Sequence, residues 1–506
     1  MYSPAFSAYN SVVETMASLD LSVLVLFILA FFVIADICKN ANPRNYPPGP
    51  VALPFVGNLF SLDFSRPHSY LTKLSEVYGD VFSFRIGRDK TVYVNGFRMV
   101  KEALVAQGEN FVDRPASPMV HKIYKGNNGI FFSNGQMWKQ QRRFALTTLR
   151  NLGLGKSTLE KAIVQESSYL QEEIGKERGE PFDPAVILNN AVSNIICQLV
   201  FGRRFVYTDQ SFQTLLQALS EAMKLEGSMW AQLYEAFPAV MKHLPGPHNV
   251  LFRHYQAFEA FIRAEVEKHK QNLDHGSPGD YINAFLIEME NHKYDPVLGF
   301  DELNMVMCSL DLFLAGTETT STSLHWGLLY MIIHTDIQEK VQAEIDDVIG
   351  HGRQPSMADR PNMPYTDAVI HEIQRMGNIV PLNPPRMANK DTTLGGFLIP
   401  KGTTLMANLN SVLFDITEWE TPYTFNPAHF LDRDGKFVRR EAFMPFSAGK
   451  RLCPGEGLAR MELFLFFVSL LQKFSFSSSE GPELDLDGQY GVTRMPHPFK
   501  IHARPR

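Results

Sequence analysis

Ten residues near the carboxyl end hold the densest chemistry in the chain: Phe446, Gly449, Arg451, Cys453 and Gly455, spaced as F-x-x-G-x-R-x-C-x-G. The run that starts at Glu456 reads as a helix, so Cys453 stands just before a helix start. Amide N–H groups and the positive end of the helix dipole favour a thiolate at that place. A thiolate is a soft ligand for a transition metal. Gly449 and Gly455 would let the backbone approach a flat ligand without a Cβ clash. Arg451 can pair with an anionic substituent, and Phe446 can shield the sulfur from water.

A second cluster lies at Ala315, Gly316, Thr317, Glu318, Thr319 and Thr320, within an otherwise apolar helical run over 301–333. Glycine weakens a helix interior by about 1 kcal/mol relative to alanine, so Gly316 is expected to open a widened turn. Hydroxyls and a carboxylate in a dry helix are expensive unless hydrogen-bonded. They either bond back to carbonyls at i−4 or pass protons to a reacting group. Glu372 and Arg375 are i, i+3 neighbours on one helix face. Trp138 and Arg142, at i, i+4, put an indole N–H and a guanidinium on one face, a pair suited to a carboxylate.

The elements that must position these groups are mostly helical. Patterns at 136–150, 157–177, 185–200, 211–225, 250–273, 301–333, 336–349, 364–376 and 455–473 read as helices. Residues 81–98 alternate like a small sheet, and short strand-like pieces recur near 385–408 and 488–503. The fold class is mostly α with a minor β portion (α+β). The 301–333 helix is apolar on most faces and belongs in the middle of a large body.

Before these elements, 21–35 and its neighbours give about 20 apolar residues, enough for roughly 30 Å of helix. Glu14 and Asp20 precede the run, while Lys39 and Arg44 follow it. Positive charge stays cytoplasmic, so the body is expected to face the cytosol. No basic segment precedes the run, which argues for an uncleaved anchor over a signal peptide. Pro47, Pro48 and Pro50 cannot continue a helix and favour a stiff extended segment. The organisation is therefore 1–40 luminal terminus and transmembrane anchor, 41–50 proline-rich hinge, and 51–506 one catalytic domain.

Of 506 residues, 45% are hydrophobic and the net charge is −6, so nothing in the bulk charge favours nucleic acid. Four cysteines, Cys38, Cys197, Cys308 and Cys453, are too scattered for a disulfide framework. His371-Glu372 opens like a zinc motif but reaches Arg375 where the second histidine belongs. Gly155-Lys156-Ser157 ends like a phosphate loop without its earlier glycine, and there is no G-x-G-x-x-G. Electrons for redox chemistry would therefore come from another protein.

The cysteine loop resembles the haem-ligand signature of the cytochrome P-450 family, and the resemblance extends over nearly the whole chain. It is nearest the vertebrate microsomal family 2, particularly the J subfamily, whose members oxidise polyunsaturated fatty acids and lipophilic foreign compounds. The resemblance implies haem b between the central helix and the cysteine-loop helix, with Cys453 as axial thiolate. It places Thr319 as the proton-handling hydroxyl, with Glu318 as its acidic neighbour. It puts Trp138, Arg142, Arg114, Arg386 and Arg451 around the two propionates. Glu372 and Arg375 match the family's buried E-x-x-R pair, whose usual third partner, an arginine, is replaced here by His429. Aligned by motif, Ile130, Phe131, Phe313, Leu314, Ala315, Val380, Leu382 and Val492 would line an apolar substrate pocket.

The reaction implied is insertion of one atom of O2 into a lipophilic substrate such as arachidonic acid or a drug-like molecule. The implied donors are the NADPH-dependent flavoprotein reductase of the endoplasmic reticulum membrane and cytochrome b5, docking on a basic face that includes Lys139, Arg143 and Lys450. Two rivals are a haem-thiolate isomerase or dehydratase of lipid peroxides, whose members characteristically lack the acid–threonine pair, and a non-catalytic haem carrier.

Overall fold

The computed structural model describes residues 21–87, 89–273, 276, 278–292, 295–478 and 484–506. The expected luminal segment 1–20, with Glu14 and Asp20, lies outside the described residues. Helix Leu21–Lys39 leaves Leu26, Phe27, Phe31 and Ile34 exposed. At its end, Asp36 Oδ2 accepts from Arg85 Nη2 at 3.1 Å and from the Phe55 amide at 3.1 Å, tying the helix to the body. Helix Pro184–Phe201 is long and apolar enough to cross a membrane, but 72% of it is buried, so it is a core helix.

The proline segment docks on the first strand. Ser83 N donates to Pro48 O at 2.7 Å and Ser83 Oγ to Pro47 O at 2.9 Å. A Cβ on Gly49 would lie 2.0 Å from Ser83 O, so only glycine allows this approach. Strands β1 (Val81–Ile86) and β2 (Asp89–Val94) pair antiparallel. The strand reading over 81–98 runs too far, because Gly96–Lys101 is a helix. Its first amides are taken by Ser411 Oγ and Asp415 Oδ2, partners distant in sequence. Later come β3 (Arg386–Met387), β4 (Thr392–Leu394), β5 (Phe397–Ile399) and β6 (Thr404–Ala407). The sheet has the order β1-β2-β6-β3, with β6 parallel to β2, so a segment some 300 residues away closes it. Gln489–Tyr490 pairs with Arg494–Met495 within the strand-like stretch near 488–503, whereas Ile501–Pro505 pairs antiparallel with Phe474–Ser478, a strand the sequence pattern did not mark.

Each long helical pattern is present with boundaries shifted by at most three residues, including Gly135–Asn151, Gln210–Glu226, Pro247–Gln271, Pro364–Gly377 and Glu456–Lys473. The central helix, Glu302–Ile333, is 32 residues long and almost wholly buried. It is unbroken, which corrects the expectation of a widened turn at Gly316. A Cβ there would lie 2.8 Å from Ile196 Cγ1. Gly316 is thus explained by close packing against helix Pro184–Phe201. Helices Pro67–Tyr78, Pro118–Tyr124, Met229–Ala236 and Tyr281–Asn291 were not legible as helices. They are short, and packing decides their state more than propensity does.

Candidate functional site

Cys453 lies in the loop before helix Glu456–Lys473, held by its amide donating to Phe446 O at 3.1 Å. The amides of Gly455 and Glu456 point at its sulfur, and Arg142 is its cationic neighbour. Burial pushes the free thiol up, and these amides and Arg142 oppose that shift. By contrast, Cys197 and Cys308 are 0% exposed inside helices, and Cys38 is on the exposed terminal helix. Only Cys453 combines a loop position, helix-start amides and a guanidinium.

Gly449 has φ +73, and its Cβ would lie 1.7 Å from Leu104 O. Protein packing plus a left-handed backbone therefore already require glycine here. At Gly455 the added Cβ would meet only Cys453 Sγ, at 3.8 Å, an ordinary contact. Phe446 sits under the guanidinium of Arg460, 5.4 Å from Cζ to ring centroid.

Arginines from four separate segments converge near the sulfur. Arg114 donates to Phe131 O at 3.1 Å, Pro384 O at 3.1 Å and Pro385 O at 2.6 Å. Arg451 donates to Val112 O at 2.9 Å and Ser133 O at 2.6 Å, and its guanidinium stacks 3.8 Å from the Trp138 ring centroid. Arg386 donates to Ser447 Oγ at 3.3 Å, and Arg142 to Leu452 O. Among the described residues, no carboxylate oxygen accepts from any of the four. Buried Arg386 Nε and Trp138 Nε1 have no partner. Burial and neighbouring guanidiniums push Arg386 down to about 10, Arg451 down to about 9, and Arg114 well below the ordinary arginine range. Such a cluster calls for a counter-anion. The two propionates of haem supply two negative charges and fit it.

On the central helix, Thr319 Oγ1 donates to Ala315 O at 2.7 Å. Ser321 and Ser323 bond back in the same way. The hydroxyl proton of Thr319 is thus parked on its own helix, which leaves its oxygen lone pairs to accept from a donor. Glu318 is 2% exposed, its Oε2 has no partner, and burial pushes its carboxyl up to about 7.

The brace behind this site is complete. Arg375 Nε and Nη2 reach the two oxygens of Glu372, each at 2.7 Å, with both side chains at 0% exposure. His429 Nδ1 lies 3.2 Å from Glu372 Oε1. The remaining guanidinium donors go to the carbonyls of Leu413, Pro422 and Thr424. Burial alone would raise the Glu372 pKa, but the bonds from Arg375 and His429 outweigh it and hold it below the ordinary value.

Of the pocket residues read from sequence, Ala315 and Val492 are exposed, while Phe131, Val380 and Leu382 are half-buried. Ile130 and Leu314 each keep 6% exposure. Phe313 is a correction: it has no accessible surface and packs between Phe201 and Phe261, with centroids at 5.9 and 6.1 Å, so it is core. Sequence reasoning missed Asp311, whose Oδ2 accepts from the amides of Ile130 (2.6 Å) and Phe131 (2.9 Å). Tyr124 donates to its other oxygen at 2.7 Å. A lone carboxylate in an apolar helix was the available signal. Lys450 pairs with Glu109 at 2.7 Å, while Lys139 and Arg143 make no ion pair among the described residues.

A helical body with a small sheet, a loop cysteine before a helix, and a dianion cradle beside it define a haem-thiolate protein. The model of the cytochrome P450 family matches residues 47–503, and the chain belongs to that family. It is 51% identical over 483 residues to human cytochrome P450 2J2, covering 96% of each chain. Rabbit cytochrome P450 2J1 is 49% identical over 490 residues, 97% of each. Human cytochrome P450 2C8 is 46% identical over 452 residues, covering 89% of this chain and 91% of the relative. The chain is accordingly a monooxygenase whose cofactor is haem with a cysteine ligand.

Proposed function

We propose that Cys453 is the haem ligand and that the chain oxidises lipophilic molecules, polyunsaturated fatty acids such as arachidonic acid among them. The observation that carries the assignment is the convergence of four carboxylate-free guanidiniums on the loop that holds this sulfur. Haem bound there supplies the activation of dioxygen: one atom enters the substrate, and the other leaves as water with two electrons and two protons. Trp138, Arg142, Arg114, Arg386 and Arg451 hold the propionates. The amides of Gly455 and Glu456 hold charge on the sulfur, and Phe446 keeps water from it.

Glu318 holds a proton near neutral pH, and Thr319 would relay one by accepting at Oγ1 while its own hydroxyl turns away from Ala315 O. Ala315, Phe131, Ile130, Leu314, Val380, Leu382 and Val492 form the apolar wall against which substrate lies. Asp311 holds Ile130 and Phe131 by their amides. The exposed apolar helix Leu21–Lys39 anchors the body to the endoplasmic reticulum membrane, with residues 41–50 as hinge and 51–506 as the cytosolic catalytic domain. An NADPH-dependent flavoprotein reductase and cytochrome b5 dock on the basic face of Lys139 and Arg143.

The intact pair of Glu318 and Thr319 favours oxygen activation over the rearrangement of lipid peroxides. The test is an NADPH-driven reconstitution with reductase and arachidonic acid. Oxidised product that requires NADPH supports the reading. Unchanged arachidonate removes the fatty-acid half, and product formed without NADPH or reductase favours the peroxide isomerase.

A further inference from the structure

Away from the cysteine loop, a cavity of about 330 Å³ opens between helices Pro184–Phe201 and Gln210–Glu226, the central helix and the C-terminal strands. Cys453, Thr319 and the cradle arginines do not line it, while Glu318, given a proton role above, does. One wall is apolar, formed by Val186, Leu216, Met495, Pro496 and Pro498. Among the described residues, two buried polar atoms on its central-helix side have no partner, Glu318 Oε2 and His325 Nε2, with the Thr322 and Thr493 hydroxyls as polar neighbours of the Glu318 carboxyl. Glu318 and His325 are 2% and 8% exposed. The His325 ring is fixed by stacking on Phe499, with centroids 4.6 Å apart.

Carboxylates outnumber cations around this space. Asp183, Glu221 and Glu318 face Lys224, and Glu221 also lies 3.1 Å from His254 Nε2. Water could satisfy the two orphaned atoms, but it finds no partners along the apolar wall. A ligand with one N–H donor and a short hydrocarbon body meets Glu318 Oε2 and the apolar wall, leaving His325 Nε2 to water, and a positive charge on the donor suits the excess of carboxylates.

We propose that this cavity is a second small-molecule site that takes a compact lipophilic amine, its N–H donating to Glu318 Oε2 and its hydrocarbon body covering Leu216 and Val186. The binding claim stands independently of the proton role assigned to Glu318. A change in oxygen-to-product coupling on binding rests on that role.

The test uses the full-length, haem-loaded chain in detergent micelles, titrated with N,N-dimethylcyclohexylamine at neutral pH and read by saturation-transfer NMR. The haem absorption band is followed in parallel, because an amine on the iron would shift it. Ser220 lines the cavity away from the haem, so Ser220→Trp fills the site while leaving the haem band in place. Binding weakens at least about tenfold in Ser220→Trp and about tenfold in Glu318→Gln, the loss of a charge-assisted hydrogen bond. If the tryptophan disturbs the haem band, Val186→Phe is the smaller filling change. Wild-type affinity in the filled variant, a shifted haem band accompanying all of the binding, or no amine binding at all overturns the proposal.

Discussion

Replacing Glu318 with glutamine isolates the proton-handling role proposed for the central helix. Burial pushes this carboxyl up to about 7, with Lys224, Thr322 and Thr493 the neighbours that oppose the shift. At that value about nine-tenths of the enzyme carries the proton at pH 6, about half at pH 7 and about one-tenth at pH 8. An ordinary glutamate would be almost fully ionised over the whole range. Product formed per NADPH consumed should therefore fall severalfold from pH 6 to pH 8 in the wild type, with peroxide rising to match. Glu318→Gln should give low coupling that is flat in pH, because the amide neither releases nor recovers a proton. The group also has a stability signature. Its folded pKa is raised, so it contributes most below the unfolded carboxylate value and is progressively lost as pH rises towards about 7, a span worth roughly 3 kcal/mol. The glutamine variant should lose less stability between pH 5 and pH 7 than the wild type does. A coupling midpoint near 7 that survives in Glu318→Gln, or undiminished coupling in that variant, would refute the reasoning.

Three further outcomes follow from the geometry. Arg375→Met leaves Glu372 buried with only His429 and the Asn426 amide, and it should destabilise the fold by about 3–5 kcal/mol in chemical denaturation; a change under about 1 kcal/mol would contradict a tightly held pair. Gly449→Ala drives a methyl into Leu104 O and strains a positive φ, so the purified protein should carry markedly less haem per chain; full occupancy would show that the loop yields. Asp311→Asn weakens the charged acceptor for the Ile130 and Phe131 amides by about 1–3 kcal/mol. It should raise KM for a lipophilic substrate more than it lowers kcat, and an unchanged KM would detach Asp311 from the pocket wall.

Much of this architecture was legible in sequence because it rests on local periodicity. The helices over 135–151 and 456–473 are long enough for their apolar spacing to declare them, and the cysteine motif fixes its own position. What stayed hidden depends on partners far away in the chain. Residues 96–101 continue an alternating pattern, yet they turn helical because Ser411 and Asp415 receive their amides. Gly316 and Gly449 were singled out as unusual without the packing that explains them: Ile196 and the Leu104 carbonyl each exclude a side chain there. Phe313 reads as pocket-lining from its place in the motif, whereas its ring turns towards Phe201 and Phe261. Asp311 looked like an isolated irregularity, since nothing in the local sequence says that a loop 180 residues earlier hangs from it. His429 is the converse case. It departs from the family's arginine, yet its ring nitrogen still reaches Glu372 from within the same turn.

The account depends most directly on the bond between iron and Cys453 Sγ. The decisive measurement is the absorption spectrum of the purified, reduced, carbon-monoxide-bound protein beside its Cys453→Ser variant. The wild type should show the strongly red-shifted main band of thiolate-ligated haem, and the variant should lose it. An imidazole-like band in the wild type, or a red-shifted band that persists without the Cys453 sulfur, would contradict the assignment.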